Sequence, residues 1–370
     1  MKFSFNRKAF IDALLVGGSM AGKSKVLPIL DCIKINVRQG NSTISSYNGE
    51  VSITKKVEID SDEELSLCVN KQDLDNFLRA IPDETVCVEY DSSAILIKHK
   101  KGKLSLPTFD ANEFPKPNIK KDGDCIKVGG ASLLSIISEA NKFRNTKDGL
   151  RPIMSCINMS TNGESLEVSA TDSMSLYSSS IELTEEHNGF VLNITDASIQ
   201  PLKNMLDRCA EVTIINGETS FTIKSDDSLL SAVKMEGKYP NVRSVIPKYE
   251  TCSRICVNVK EFEDAIKRCA LNADKSSAIV TINSNTPSFL EVSANDIDYN
   301  KSALEYVDCE LDGSFNAFSI KYANILNVLS CIKSDSVTIA VKSSTSPIII
   351  EDKLANNNIF ILMPFLNAQN

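Results

Sequence analysis

Tryptophan is absent and histidine nearly so: the 370-residue chain carries no Trp and 2 His. So little imidazole leaves small scope for histidine-based acid–base catalysis or histidine-ligated metals. His99 lies in a basic Ile97–Lys101 stretch and His187 in a polar turn, and both are expected to face solvent. No apolar run approaches the roughly 18 residues that a membrane-spanning helix needs. The opening Met1-Lys2-Phe3-Ser4-Phe5-Asn6-Arg7 lacks the apolar core and cleavage site of a secretory leader. The 11 cysteines are odd in number and scattered from Cys32 to Cys331, with only Cys252 and Cys256 close together. That spacing fits no zinc site, so reduced thiols acting as small core groups are expected, in a cytoplasmic chain without metal or cofactor. Net charge is −8, which taken whole argues against nucleic acid.

What is present is ordinary globular composition, 42% hydrophobic and 24% charged, in a chain long enough for two or three domains. The chain also repeats itself. Leu166-Glu167-Val168-Ser169-Ala170-Thr171-Asp172 returns as Leu290-Glu291-Val292-Ser293-Ala294-Asn295-Asp296, and a weaker copy runs Ser42–Asn48. Each is an alternating strand ending in turn residues. A helical stripe follows every copy: Leu74, Phe77, Leu78 and Ile81; then Ile199, Leu202, Met205 and Leu206; then Ile325, Leu326 and Leu329. Asn70, Asp196 and Ser319 are the expected N-caps of these helices. Further helices over Arg7–Val16, Ala131–Phe143 and Val259–Leu271 open each repeat. The pattern predicts an α+β fold of three tandem helix-plus-antiparallel-sheet domains, residues 1–122, 123–248 and 249–370, with boundaries near Lys121–Gly123 and Pro247–Tyr249.

The six helices with their flanks carry 18 basic and 11 acidic residues, leaving 22 basic and 37 acidic elsewhere. A helix with one face on a sheet offers the other to solvent or a partner. Positive charge gathered on helices suits phosphates, and the absence of base-reading motifs makes any contact sequence-independent.

Gly17-Gly18-Ser19-Met20-Ala21-Gly22-Lys23-Ser24 matches a phosphate-binding loop letter for letter. Such a loop must follow a strand and open a helix. Here a helix-periodic stretch precedes it and Pro28 follows, so Lys23 and Lys25 read instead as loop cations after the first helix. Paired acids such as Asp226-Asp227 and Glu185-Glu186 sit in turns, and no nucleophile–base arrangement appears, so no enzymatic activity is expected.

Several phrases in order carry a resemblance: Leu27-Pro28-Ile29-Leu30, Leu106-Pro107, Glu113-Phe114-Pro115, Ala170-Thr171-Asp172, Tyr239-Pro240, Val245-Ile246-Pro247 and Met363-Pro364-Phe365-Leu366. Together they resemble the bacterial sliding clamp, the beta subunit of DNA polymerase III. The resemblance implies the DNA clamp fold in a head-to-tail homodimer, a six-domain ring whose helices face duplex DNA. It further implies tethering of DNA polymerase, the clamp loader and other partners through short linear peptides. Candidate DNA contacts are Lys23, Lys25, Lys71, Arg79, Lys142, Arg144, Lys147, Arg151, Lys203, Arg208, Lys267, Arg268, Lys321 and Lys333. By position the peptide cleft would comprise Met154, Thr171, Ser173, Met174, Leu176, Pro240, Val245, Tyr322, Pro347, Ile361, Met363, Pro364 and Phe365. Ring closure would set Leu104–Leu106 against Leu271 of a second copy. The family usually continues after Thr-Asp with Gly or Ser, His, Arg, Leu, where this chain has Ser173-Met174-Ser175-Leu176. Customary arginines stand as Ser244 and Asn367, departures that suit a divergent second clamp. Two other classes compete: a clamp-fold scaffold or decoy that takes peptides without DNA, and a nucleotide hydrolase built on Gly17–Ser24.

Overall fold

A computed structural model describes residues 1–22, 27–117, 123–146, 151–185, 187–246, 252–355 and 357–365. Lys23, Lys25, Lys147 and Asn367 lie outside them, as do Lys121, Asp122 and Pro247–Tyr249 at the expected boundaries. The fold is α+β: among the described residues six α-helices accompany antiparallel strands. The chain divides into two compact units, one of Met1–Ser135, Asn162–Glu164 and Leu183–Glu236, the other of Ile136–Thr161, Ser165–Glu182 and Gly237–Asn370.

Unit 1 is built on β1 (Lys2–Asn6), α1 (Arg7–Gly17), β2 (Cys32–Val37), β3 (Thr43–Tyr47), β4 (Val51–Lys56), β5 (Leu65–Asn70), α2 (Lys71–Ala80), β6 (Thr85–Tyr90), β7 (Ala94–His99) and β8 (Gly102–Phe109). It continues with β9 (Asp124–Gly129), the start of α3 (Gly130–Ala140), β13 (Phe190–Ile194), α4 (Asp196–Leu206), β14 (Glu211–Asn216), β15 (Ser220–Lys224) and β16 (Ser228–Val233). One sheet runs β1-β6-β7-β8-β5-β2-β3-β4-β16-β15-β14-β9. Its continuity rests on β4 pairing β16, with Leu230 opposite Ile53, so backbone bonds cross from the first expected repeat into the second. Alternation explains the strands: Ile33, Ile35 and Val37 of β2 point inward against Phe10, Ala13 and Leu14 of α1. Asn6 and Asn70 cap α1 and α2, their side chains accepting from Ala9 N–H and from Gln72 and Asp73 N–H. Gly17 ends α1 where only glycine fits, since a Cβ there would lie 2.6 Å from the Ile44 carbonyl oxygen.

Unit 2 carries β10 (Ile157–Thr161), β11 (Ser165–Thr171), β12 (Ser175–Glu182), β17 (Ser253–Asn258), α5 (Val259–Ala270), β18 (Ile279–Thr286), β19 (Phe289–Asp296), β20 (Lys301–Asp312), β21 (Phe318–Lys321), α6 (Tyr322–Leu329), β22 (Ser336–Val341), β23 (Ile348–Asp352) and β24 (Ile359–Leu362). These strands lie in the order β10-β11-β12-β24-β23-β22-β17-β20-β19-β18-β21. Again one ladder, β12 with β24, crosses expected repeats, pairing Leu176 with Ile361. Asn258 caps α5 by accepting from Glu261 N–H, and Phe262, Ala265, Ile266 and Cys269 form its buried stripe.

Two expected caps are corrected. Ser319 lies within β21, held opposite Thr281 in the ladder with β18, and α6 starts at Tyr322 with no side-chain cap. Asp196 is the first residue of α4, with Thr195 in the cap position and its hydroxyl 3.1 Å from Ser198 Oγ. His99 is also not solvent-facing: its side chain is 16% exposed, Nδ1 lies 3.3 Å from Glu84 Oε1, and the ring meets Phe77 edge-on.

Candidate nucleic-acid interface and peptide cleft

Eleven of the fourteen candidate DNA contacts are described, and most have partners within the chain. Asp75, 7% exposed on α2, takes Lys71 Nζ on Oδ2 and Arg79 Nε on Oδ1, both at 2.7 Å. Burial opposes its charge, but the bonds from Lys71 and Arg79 outweigh this and hold the carboxyl below its ordinary range. Arg208 faces Asp12 at 3.3 Å, Lys267 faces Glu263 at 2.8 Å, and Arg268 faces Glu305 at 2.8 Å. Arg144 donates to Asn141 Oδ1 at 2.6 Å and to the Ser155 carbonyl at 3.4 Å. Lys142 donates to Ser330, and Lys333 lies 3.7 Å from Glu139. Only Arg151, Lys203 and Lys321 show no side-chain partner among the described residues. The phosphate-loop motif is decided against by position: Gly17 ends α1, and Gly18 N–H caps it by donating to the Leu14 carbonyl at 2.9 Å. A helix C-terminus repels phosphate where a helix start would attract it.

The cleft candidates all fall in unit 2. Leu176 and Ile361 form a buried apolar cluster with Tyr239 and Val242, against which the partly buried Ile153, Ile246 and Ile359 pack. Tyr239 is 8% exposed, and its hydroxyl accepts the Thr171 N–H at 3.0 Å. Burial pushes that phenol well above its ordinary pKa, so it stays neutral. The β11–β12 turn is organised by Asp172, whose Oδ1 accepts from Met174 N–H, Ser175 N–H and the Ser175 hydroxyl. Ser173 in that turn is held at φ 77°, a left-handed conformation that costs a non-glycine residue on the order of 1 kcal/mol. Met363 N–H donates to the Met174 carbonyl of this turn at 2.8 Å, and Phe365 N–H donates to the Ser319 carbonyl of β21. Met154, Thr171 and Pro364 are buried. Met174, Pro240, Tyr322, Pro347 and Met363 are half-buried, while Ser173, Val245 and Phe365 are exposed. Pro347 leads into β23, whose Ile348 pairs Leu362.

Leu106, 8% exposed, belongs to the unit 1 core and the half-buried Leu104 packs against it, whereas Leu271 is 80% exposed. What β8 offers is backbone: Gly102–Pro107 pair β7 on one side, and β5 reaches only Thr108 and Phe109 on the other. β20 is alike, with Lys301–Asp308 paired to β19 while β17 engages only Cys309–Asp312.

Residues 1–119 match the family model for the N-terminal domain of the DNA polymerase III beta subunit, and residues 243–365 match that for its C-terminal domain. The chain belongs to the beta sliding clamp family. It is 22% identical over 377 residues to a beta sliding clamp of Bacillus subtilis, an alignment covering 98% of this chain and 99% of the relative. It is 24% identical to one of Rickettsia bellii over 98% and 99% of the two chains. A solved sliding clamp from Pseudomonas aeruginosa superposes with TM-score 0.92 at 19% identity, covering 99% of this chain and 100% of that one. A solved beta subunit from Thermotoga maritima gives TM-score 0.90 at 20% identity, with the same coverage. These likenesses establish the clamp fold. Tyr239 and Val242, which pack with the cleft candidates Leu176 and Ile361, are not among the residues the sequence singles out for the cleft. The signal was available, since Tyr239 is half of the quoted Tyr-Pro phrase and Val242 lies two residues beyond it. Among the described residues no helix is long and apolar enough to cross a membrane.

Proposed function

We propose that two copies of this chain close head to tail into a non-catalytic cytoplasmic ring of six repeats, three per chain over residues 1–122, 123–248 and 249–370, that encircles duplex DNA. One observation carries the ring: among the described residues, Gly102–Pro107 of β8 in unit 1 and Lys301–Asp308 of β20 in unit 2 are each paired on one side alone, leaving two unlike open edges. An open edge invites a further strand. Two unlike edges favour a heterologous contact, which makes rings when its rotation closes. Leu271, at the end of α5, and Leu304 and Tyr306 on β20 are 80%, 53% and 61% exposed, and they would supply apolar contact beside the partner's β8.

Duplex DNA would meet the helices through phosphates alone, with Arg151, Lys203 and Lys321 the leading contacts. Diffuse attraction of this kind tolerates sliding, whereas base contacts would stall it. The Leu176–Tyr239–Val242–Ile361 floor, rimmed by Val245 and Phe365, would take short apolar peptides of DNA polymerase, the clamp loader and other partners, and Met154, Met174 and Met363 would let it adapt. Retention on DNA circles tests the reading. Chain assembled on nicked circular duplex should co-elute with it and be shed when the circle is cut once; equal retention on circular and linear DNA would overturn encirclement. Leu271→Asp should abolish retention together with dimer formation.

A further inference from the structure

The C-terminal ends of α3 and α6 cap each other. Final helix carbonyls have no intrahelical donor and must find one elsewhere. The Lys142 carbonyl, just past α3, accepts from Asn327 Nδ2 of α6 at 3.4 Å. In return Lys142 Nζ donates to Ser330 Oγ at 2.8 Å and to the Ser330 carbonyl at 3.4 Å, just past α6, with Cys331 Sγ also at 3.4 Å. A cation at a helix C-terminus is favourably placed. At the C-terminal end of α3, Glu139 is 8% exposed. Its Oε2 accepts from the Tyr177 hydroxyl at 2.8 Å and from Asn358 Nδ2 at 3.0 Å, while Oε1 lies 3.7 Å from Lys333 Nζ. Burial first, and then the Glu139 charge, raise the Tyr177 pKa far above its usual value, so the phenol remains a donor.

We propose that this junction removes Lys142 and Lys333 from the DNA-contacting set: Lys142 is a strut between α3 and α6, and Glu139 is a positioning residue that holds Lys333 back. The proposal rests on the DNA-encircling reading above. An ammonium has three protons to donate, and the three acceptors around Lys142 Nζ match them, so a phosphate would have to displace them. Lys333 is held differently. Its side chain is 56% exposed and its link to Glu139 is a loose ion pair with no hydrogen bond, so neutralising that carboxylate releases the ammonium while leaving the lysine in place.

The test is the salt dependence of duplex DNA binding by the full chain, read as the slope of log K against log salt. K142Q and K333Q should keep the wild-type slope, K142Q with a lowered melting temperature. E139Q should steepen the slope by about 0.9 per chain, the value of one added phosphate contact, and E139Q/K333Q should return it to wild type. A K142Q or K333Q slope shallower by that amount, or an unchanged slope in folded E139Q, would overturn the proposal. Should E139Q fail to fold, the two lysine variants decide alone. Wild-type protein with no salt-dependent binding would overturn both this proposal and the DNA reading; a wild-type slope that K142Q and K333Q reduce would overturn this proposal only.

Discussion

The helix cations and the apolar cluster at the candidate cleft are held in opposite ways. The apolar cluster is fixed by backbone: Leu176 and Ile361 face each other because β12 pairs β24, and Tyr239 is tied to the Thr171 amide. The cations end on flexible stems, and most of those described have found a carboxylate or a carbonyl nearby. Asp75 alone engages two of them. Positive charge counted along a sequence therefore overstates the charge offered to a phosphate, whereas apolar residues set on a ladder stay where the register puts them.

Removing the anchor of the cleft should have the largest effect. Tyr239→Ala should cost about 3–5 kcal/mol in urea unfolding, from a lost aromatic and an orphaned Thr171 amide. Tyr239→Phe, which loses only the acceptor, should cost about 1–2 kcal/mol. On the cation side, Asp75→Asn should destabilise by about 1–2 kcal/mol at neutral pH. The sign with pH follows from its lowered folded-state pKa. The contribution is full above the unfolded value of about 4 and is lost as pH falls through the lower folded value, so wild type and variant should converge in acid melts. A gap that persisted at low pH would show that Asp75 acts by packing. Next, Lys203→Gln and Lys321→Gln should each flatten the DNA-binding salt slope by roughly 0.9, while Lys267→Gln, its ammonium 2.8 Å from Glu263, should leave it unchanged. Equal losses at all three would erase the distinction between committed and available cations. The smallest effect is expected at Ser173→Gly, which relieves the 77° φ and should raise stability by about 0.5–1 kcal/mol.

Element type was legible because the periodicities were clean. The Leu166–Asp172 copy is β11, its Leu290–Asp296 partner is β19, and the stripes at Leu74 and Ile199 are α2 and α4. α4 even continues through Pro201, where burial of Ile199, Leu202 and Met205 overrides local propensity. Ser319 was misread as a cap because its hydroxyl invites that role, while the pairing that makes it strand comes from β18, far away in sequence. Ion pairing was the least legible feature. The Arg208–Asp12 and Arg268–Glu305 pairs span long separations, and His99 is buried by Glu84 and Phe77 rather than by its own neighbours. The crossing ladders β4–β16 and β12–β24 were likewise invisible, since a repeat shows what each unit resembles and not what it pairs with.

The closed two-chain ring is tested most directly by solution mass from light scattering at two protein concentrations tenfold apart. A mass of twice 40.5 kDa, about 81 kDa, at both concentrations is the predicted result. A 40.5 kDa species at both would contradict it, because the β8 and β20 edges would then be open in solution.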